Sequence, residues 1–141
     1  MTDTPKVQLR NLYKIFGPND KEMMQYVEAG MGKPELLEEH KHVLGLQNIN
    51  VDMMAGEITV VMGLSGSGKS TLIKILAGIH HEESGTFAID GVKQTFRNPH
   101  DSALAGIATV HQELMISPGL SVAENVLLGT KMPTRLGKIA W

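Results

Sequence analysis

Cysteine is absent from the 141 residues. That excludes a disulfide framework and any thiolate metal site, and it is compatible with a cytosolic setting. Net charge is nearly absent too: 13 Lys and Arg against 15 Asp and Glu leave −2 at neutral pH. A balance this close to neutral gives no electrostatic case for nucleic acid or for an anionic membrane surface. No apolar run approaches the roughly 20 residues of a membrane span. The start, Met1-Thr2-Asp3-Thr4-Pro5, lacks the basic and apolar regions of a signal peptide. Any association with a membrane is therefore expected to come through a partner. There is no internal repeat, and residues 133–141 show no clear period. What is present, 42% hydrophobic and 20% charged residues, is ordinary for one soluble domain with a real core.

Against that plain background stands Gly63-Leu64-Ser65-Gly66-Ser67-Gly68-Lys69-Ser70, followed by Thr71. It fits G-x-x-x-x-G-K-S/T, the phosphate-binding loop. Upstream, the β-rich run Glu57 to Met62 predicts a strand buried on both faces. Downstream, Leu72, Ile75, Leu76 and Ile79 fall at i, i+3, i+4 and i+7, one apolar stripe of a helix that Gly78 ends. Between strand and helix N-terminus, glycines let backbone N–H groups curl around a phosphate while the helix dipole adds positive potential. Lys69 is expected to reach the β- and γ-phosphates, and the Ser70 hydroxyl to ligate Mg²⁺.

The rest of the chain reads as β-rich with helical excursions. Val7 to Arg10 alternates apolar and polar, a half-buried strand that continues through Phe16 into a turn at Gly17. Asp20 is the expected N-cap of a helix through Met23, Met24 and Val27, closed by Gly30. A second helix is expected from Pro34 through Leu36, Leu37 and Glu39. This Met-rich pair, residues 18–45, reads as a solvated insertion with a small apolar underside. Ile49, Val51 and Met53 then alternate with Asn50 and Asp52 as a strand, turned by Ala55-Gly56. After a polar connection at 80–85, Asp90-Gly91 between two β-rich runs predicts a hairpin over 86–96. Asn98-Pro99 opens a short helix that Gly106 ends, and Ile107 to Val110 predicts another strand. Ser121-Val122-Ala123-Glu124 is a capping box for a helix through Leu127 and Leu128. His40, His42, His80 and His81 have no cysteine or spaced carboxylate to complete a metal site, and surface positions suit them better.

A phosphate loop is shared by kinases, GTPases and transport ATPases. The Phe16-Gly17 pair, the strand leading to Val110-His111-Gln112-Glu113, and Leu120-Ser121-Val122-Ala123-Glu124-Asn125-Val126 narrow the choice. Together they resemble the N-terminal half of the ATP-binding subunit of a bacterial ABC importer, over nearly the whole chain. Residues 7–70 look like the ATPases of glycine betaine and proline importers. Residues 72–141 look like those of ribose, xylose and galactose importers, through Ile75-Leu76-Ala77-Gly78, Ala105-Gly106-Ile107-Ala108 and Val110 to Leu114. The chain is either a mosaic joined near the loop or a divergent member between the two groups.

The resemblance implies an α/β fold of the P-loop nucleoside triphosphate hydrolase type, N-terminal half only, with an antiparallel β portion and a helical insertion. It divides into the insertion at 18–45, the phosphate loop at 63–71 and a glutamine loop at 110–113. ATP and Mg²⁺ are the implied cofactors. Phe16 would stack on adenine, with Tyr13 as the substitute; Gly63, Ser65, Gly66, Ser67, Gly68, Lys69, Ser70 and Thr71 would hold the triphosphate and Mg²⁺. Gln112 would complete the Mg²⁺ environment and sense the γ-phosphate. The bland alternatives are a core aromatic for Phe16 and a surface amide for Gln112. The implied partners are a transmembrane permease and a second ATP-binding subunit, with the chain on the cytoplasmic face of the membrane and no role for nucleic acid. No Leu-Ser-Gly-Gly-Gln signature, Asp-Glu-ended strand or switch histidine follows the loop, so an open gap with exposed apolar edges and nucleotide binding without hydrolysis are expected of this chain alone. Two rivals stand beside it. A small-molecule kinase needs an arginine-rich lid, and the stretch after Gly78 offers only Arg97 and Arg135. A non-catalytic remnant would bind a partner through its half-core.

Overall fold

The computed structural model describes residues 4–110 and 116–128, and the backbone of 134–135 and 138–139. It divides into two compact units, Met1–Thr109 and Val110–Trp141.

The first unit is built on strand β1, Val7–Phe16, which pairs antiparallel on both sides. After it come a 3₁₀ turn (Asp20–Met23), helix α1 (Met24–Glu28), helix α2 (Lys33–His40) and strand β2, Val43–Met53. Then follow α3 (Lys69–Leu76), β3 (Ser84–Ile89), β4 (Val92–Gln94) and α4 (Pro99–Leu104). The sheet order is β2-β1-β3-β4, antiparallel throughout.

Strict alternation along β1 would send Leu9 and Leu12 to opposite faces. Both are fully buried in one cluster instead. The reason is a register shift between them, with Asn11 at φ 47°, which resets the phase of the strand. Leu9, Leu12, Leu46 and Phe87 form the sheet side of that core, joined by Phe96 just past β4, and Leu72 and Ile75 of α3 close it. Burial of each of those two side chains stabilises by about 1.5–3 kcal/mol. The stripe thus does what its spacing predicts at its centre, while Leu76 is half-buried and Ile79 is exposed past the helix end.

Where β3 starts, backbone meets backbone. Gly85 has φ +106°, and a Cβ there would lie 2.4 Å from the Asn11 carbonyl oxygen and 2.7 Å from that of Arg10. Neither oxygen belongs to a side chain that could swing away. Gly85→Ala is expected to destabilise by about 2–4 kcal/mol, from left-handed strain plus displacement of β1. A urea midpoint within a few tenths molar of wild type would show that the sheet yields there.

The hairpin stands as predicted, with Asp90 at φ 50° and Gly91 at φ 75° between β3 and β4. The Asn98 side chain caps α4 by accepting from the Asp101 N–H. The helical segment is tied in more firmly than a solvated excursion. Met24, Val27 and Leu36 bury against Ile15 and Leu44 in a second core cluster. Its bounds also shift: β2 begins at Val43, so residues 43–45 belong to the sheet rather than to the insertion. Asn19, not Asp20, is the flanking residue, and it makes no side-chain cap; Asp20 Oδ1 instead accepts from the Lys21 N–H at 2.9 Å. The second helix opens one residue early, with Lys33 ahead of Pro34.

Two expected strands are not formed. Residues 57–62 and 107–110 carry no ladder among the described residues. Ile58 is 94% and Val110 97% exposed. The β-rich composition is real, but a strand is a pairing, and no neighbouring strand among the described residues offers these stretches its backbone groups. His42 departs from the surface position expected for it. It is buried, with Nδ1 at 2.6 Å from the His40 carbonyl and Nε2 at 2.6 Å from that of Pro18.

In the second unit, Ser121 and Glu124 form the predicted capping box at the start of α5, Val122–Val126. The Asn125 side chain clasps the turn before it, accepting from the Ser117 N–H at 2.8 Å and donating to the Ser117 and Leu120 carbonyls. Two short strands, β5 (Thr134–Arg135) and β6 (Lys138–Ile139), pair antiparallel in a tail where the sequence shows no period.

Candidate functional site

The phosphate loop hangs between the unpaired segment and α3. Gly68, at φ +97°, sits just before Lys69, the first residue of the helix. A Cβ at Gly68 would stand 2.5 Å from the Gly45 carbonyl oxygen and 2.7 Å from Leu46 Cδ2. The loop therefore ends pressed on the backbone of β2, with glycine required twice over, by φ and by space.

A cleft of about 800 Å³ opens here within the first unit. One wall is the loop and first helical turn, Ser65 to Thr71; another is Phe16 with Val43 to Gly45; the third is α2, through Lys33, Pro34, Leu37 and Glu38. Seven of the predicted loop residues thus line one cavity, together with Phe16. Gly63 stands behind them, and its carbonyl accepts from Lys69 Nζ. Tyr13 packs instead against the second core cluster and does not line the cleft. Gln112 and the rest of 111–115 lie outside the described residues.

Lys69 folds back over its own loop. Besides Gly63, its ammonium donates to the Leu64 carbonyl at 2.8 Å and to Ser67 Oγ at 3.3 Å. All three partners are neutral oxygens, so the charge is held but not compensated. This is a donor set suited to an anion. No group of three or more His, Cys, Asp or Glu side chains among the described residues is placed to hold a metal by itself.

Phe16 is fixed from beneath. Lys14 Nζ lies 5.1 Å from its ring centroid, and the His80 ring meets it edge-on at 5.3 Å. Lys14 is itself buried, paired with the buried carboxylate of Glu83. Glu83 also accepts from the Ile15 N–H at 2.6 Å and donates its own N–H to the Tyr13 carbonyl. Asp20 is a looser third member, 3.8 Å from Lys14. Burial raises the Glu83 carboxyl above its ordinary value, outweighing the hydrogen bonds from Lys14 and Ile15. His80 is held below its ordinary value by burial first, then by the Lys74 and Lys14 charges. Sequence reading missed this network, because nothing in either segment pairs Lys14 with a glutamate 69 residues away. It also missed α2 as a cleft wall, since an insertion carries no motif to place it.

The fold and its loop are those of the P-loop class, present here in part. The family profile described as ABC transporter matches residues 46–140, and the chain belongs to that family. It is 35% identical over 132 residues to a ribose import ATP-binding protein of Escherichia coli O157:H7, covering 94% of this chain and 21% of that one. It is 45% identical over 97 residues to the arabinose import ATP-binding protein AraG of Chromohalobacter salexigens, covering 69% and 19%. Among solved structures it is similar to the ATP-binding cassette MJ0796 in a dimeric post-hydrolysis state bound to ADP and Pi. The TM-score there is 0.62 at 26% identity, over 93% of this chain and 50% of that chain. The chain therefore spans about a fifth of these curated relatives and half of the solved cassette. No described helix is long and apolar enough to cross a membrane.

Proposed function

We propose that this chain binds ATP with Mg²⁺ in the cleft between the phosphate loop and Phe16, as part of the energy-coupling subunit of a sugar importer. The observation that carries the reading is the pair of loop features above: a glycine turn pressed on the backbone of β2 at the start of α3, and a lysine whose charge only neutral oxygens hold. Ser65, Gly66, Ser67, Gly68, Lys69, Ser70 and Thr71 would surround the phosphates, with Gly63 behind Lys69. Mg²⁺ at Ser70 would neutralise phosphate charge; Gln112 is proposed as its further ligand. Phe16, backed by the Lys14 ammonium, offers its open face to adenine.

The relatives named for ribose and arabinose support a sugar as the solute. A permease and a second ATP-binding subunit are the partners we propose, with two such domains closing around ATP. The family match begins at residue 46, after the insertion. Hydrolysis is not proposed for this chain alone. Among the described residues the cleft lining carries one carboxylate, Glu38, and it sits on the insertion rather than beside the loop.

Titration of the purified chain with a fluorescent ATP analogue tests the reading. Saturable binding that needs Mg²⁺, with no appreciable phosphate release from ATP, is expected. A chain that is folded by circular dichroism yet shows no saturable signal would overturn it.

A further inference from the structure

The insertion supplies more than a wall. Lys33, the first residue of α2, reaches across the cleft, and its Nζ donates to the Gly66 carbonyl of the phosphate loop at 3.0 Å. Among the described residues no carboxylate pairs with it, and Glu35, in the same helix turn, is engaged by the Gly32 N–H. Two ammonium groups from different elements thus converge on one loop, Lys33 from outside and Lys69 from within. Both are held by backbone or hydroxyl oxygens that carry no charge to neutralise them. An ammonium has three donors. The bond to Gly66 uses one and leaves two for an incoming oxyanion.

We propose that Lys33 is a phosphate ligand of this site, so that the polyphosphate is gripped between the insertion and the loop. The proposal rests on the nucleotide reading above and names a residue outside the phosphate-loop motif. A triphosphate brings several negative charges into a cleft whose loop side offers one lysine. A second cation at hydrogen-bonding reach of the same loop offsets charge that Lys69 alone leaves unpaired. Glu38, the acidic residue of the lining, lies five residues on, about 7.5 Å further along the helix axis, and does not share the turn of Lys33. The stem of Lys33 is exposed, so its replacement leaves both core clusters intact.

The test uses the whole chain, the fluorescent ATP analogue with Mg²⁺, and two competitors, inorganic tripolyphosphate and adenosine. Lys33→Ala is expected to weaken both the analogue and tripolyphosphate about five- to tenfold while adenosine competes as in wild type. Lys33→Arg is expected to retain most of the affinity, since it keeps the charge. If Lys33→Ala binds tripolyphosphate as tightly as wild type, the proposal falls, although the nucleotide site stands. If adenosine weakens as much as tripolyphosphate, the residue only shapes the wall and the proposal again falls. Failure of the wild-type chain to bind the analogue at all would overturn the nucleotide reading, and this inference with it.

Discussion

Lys69→Met is expected to lower affinity for the Mg²⁺-bound ATP analogue by about two orders of magnitude, beyond measurable saturation. The methionine keeps the length and apolar stem but removes the only charge seated inside the loop. Its loss acts twice. The phosphates lose a charge-assisted donor, and the Gly63 and Leu64 carbonyls lose the group that draws them together. The fold itself should survive, because Leu72 and Ile75, not Lys69, anchor α3 to the sheet. Circular dichroism and a urea midpoint close to wild type should accompany the lost binding. A Met variant that still binds within a few-fold of wild type would mean that the loop is not where the phosphates sit.

The second large effect concerns stability. Glu83→Leu is expected to cost about 3 kcal/mol, because it leaves the buried Lys14 ammonium with only the looser Asp20 carboxylate at 3.8 Å. Lys14→Met together with Glu83→Leu should recover part of that loss, since no buried charge remains while the Ile15 N–H still lacks its acceptor. Urea unfolding of the three variants measures it, and a single variant as stable as wild type would mean that water reaches Lys14. The pH dependence has a definite sign. Burial raises the folded-state carboxyl above its ordinary value of 4.5, so in that window the folded chain binds more protons than the unfolded one. The stability contributed by this group is full below 4.5 and falls as pH rises through the raised value. The difference in unfolding free energy, wild type minus Glu83→Gln, should therefore shrink from pH 4.5 upward. Growth of that difference with pH would show the ion pair overcoming burial.

Local chemistry was legible where a feature is closed within a few residues. The Asp90-Gly91 hairpin, the Asn98 cap and the Ser121 capping box stand as read, as do Leu72 and Ile75 at the centre of the α3 stripe. The loop residues share a cleft with Phe16 because strand-end geometry and the glycines bring them there. Pairing was not legible. Glu57 to Met62 has the composition of a buried strand and lies unpaired, because composition specifies a willingness to pair and not a partner. The same limit hid the phase reset at Asn11, the placement of α2 over the loop, and the burial of Lys14 and His42. Each depends on a contact between distant segments that periodicity does not encode.

The distance between Lys14 and Glu83 along the chain, 69 residues, also has a consequence in time. As the chain is made, β1 emerges long before its acidic partner exists, and the Lys14 ammonium has to stay hydrated until then. The β1–β3 ladder closes the same span, with Tyr13 opposite Ser84, so the pair is made when these two strands meet. The buried pair beneath Phe16 thus fastens the end of that ladder, and the floor of the cleft is complete only once a segment made 69 residues later has arrived.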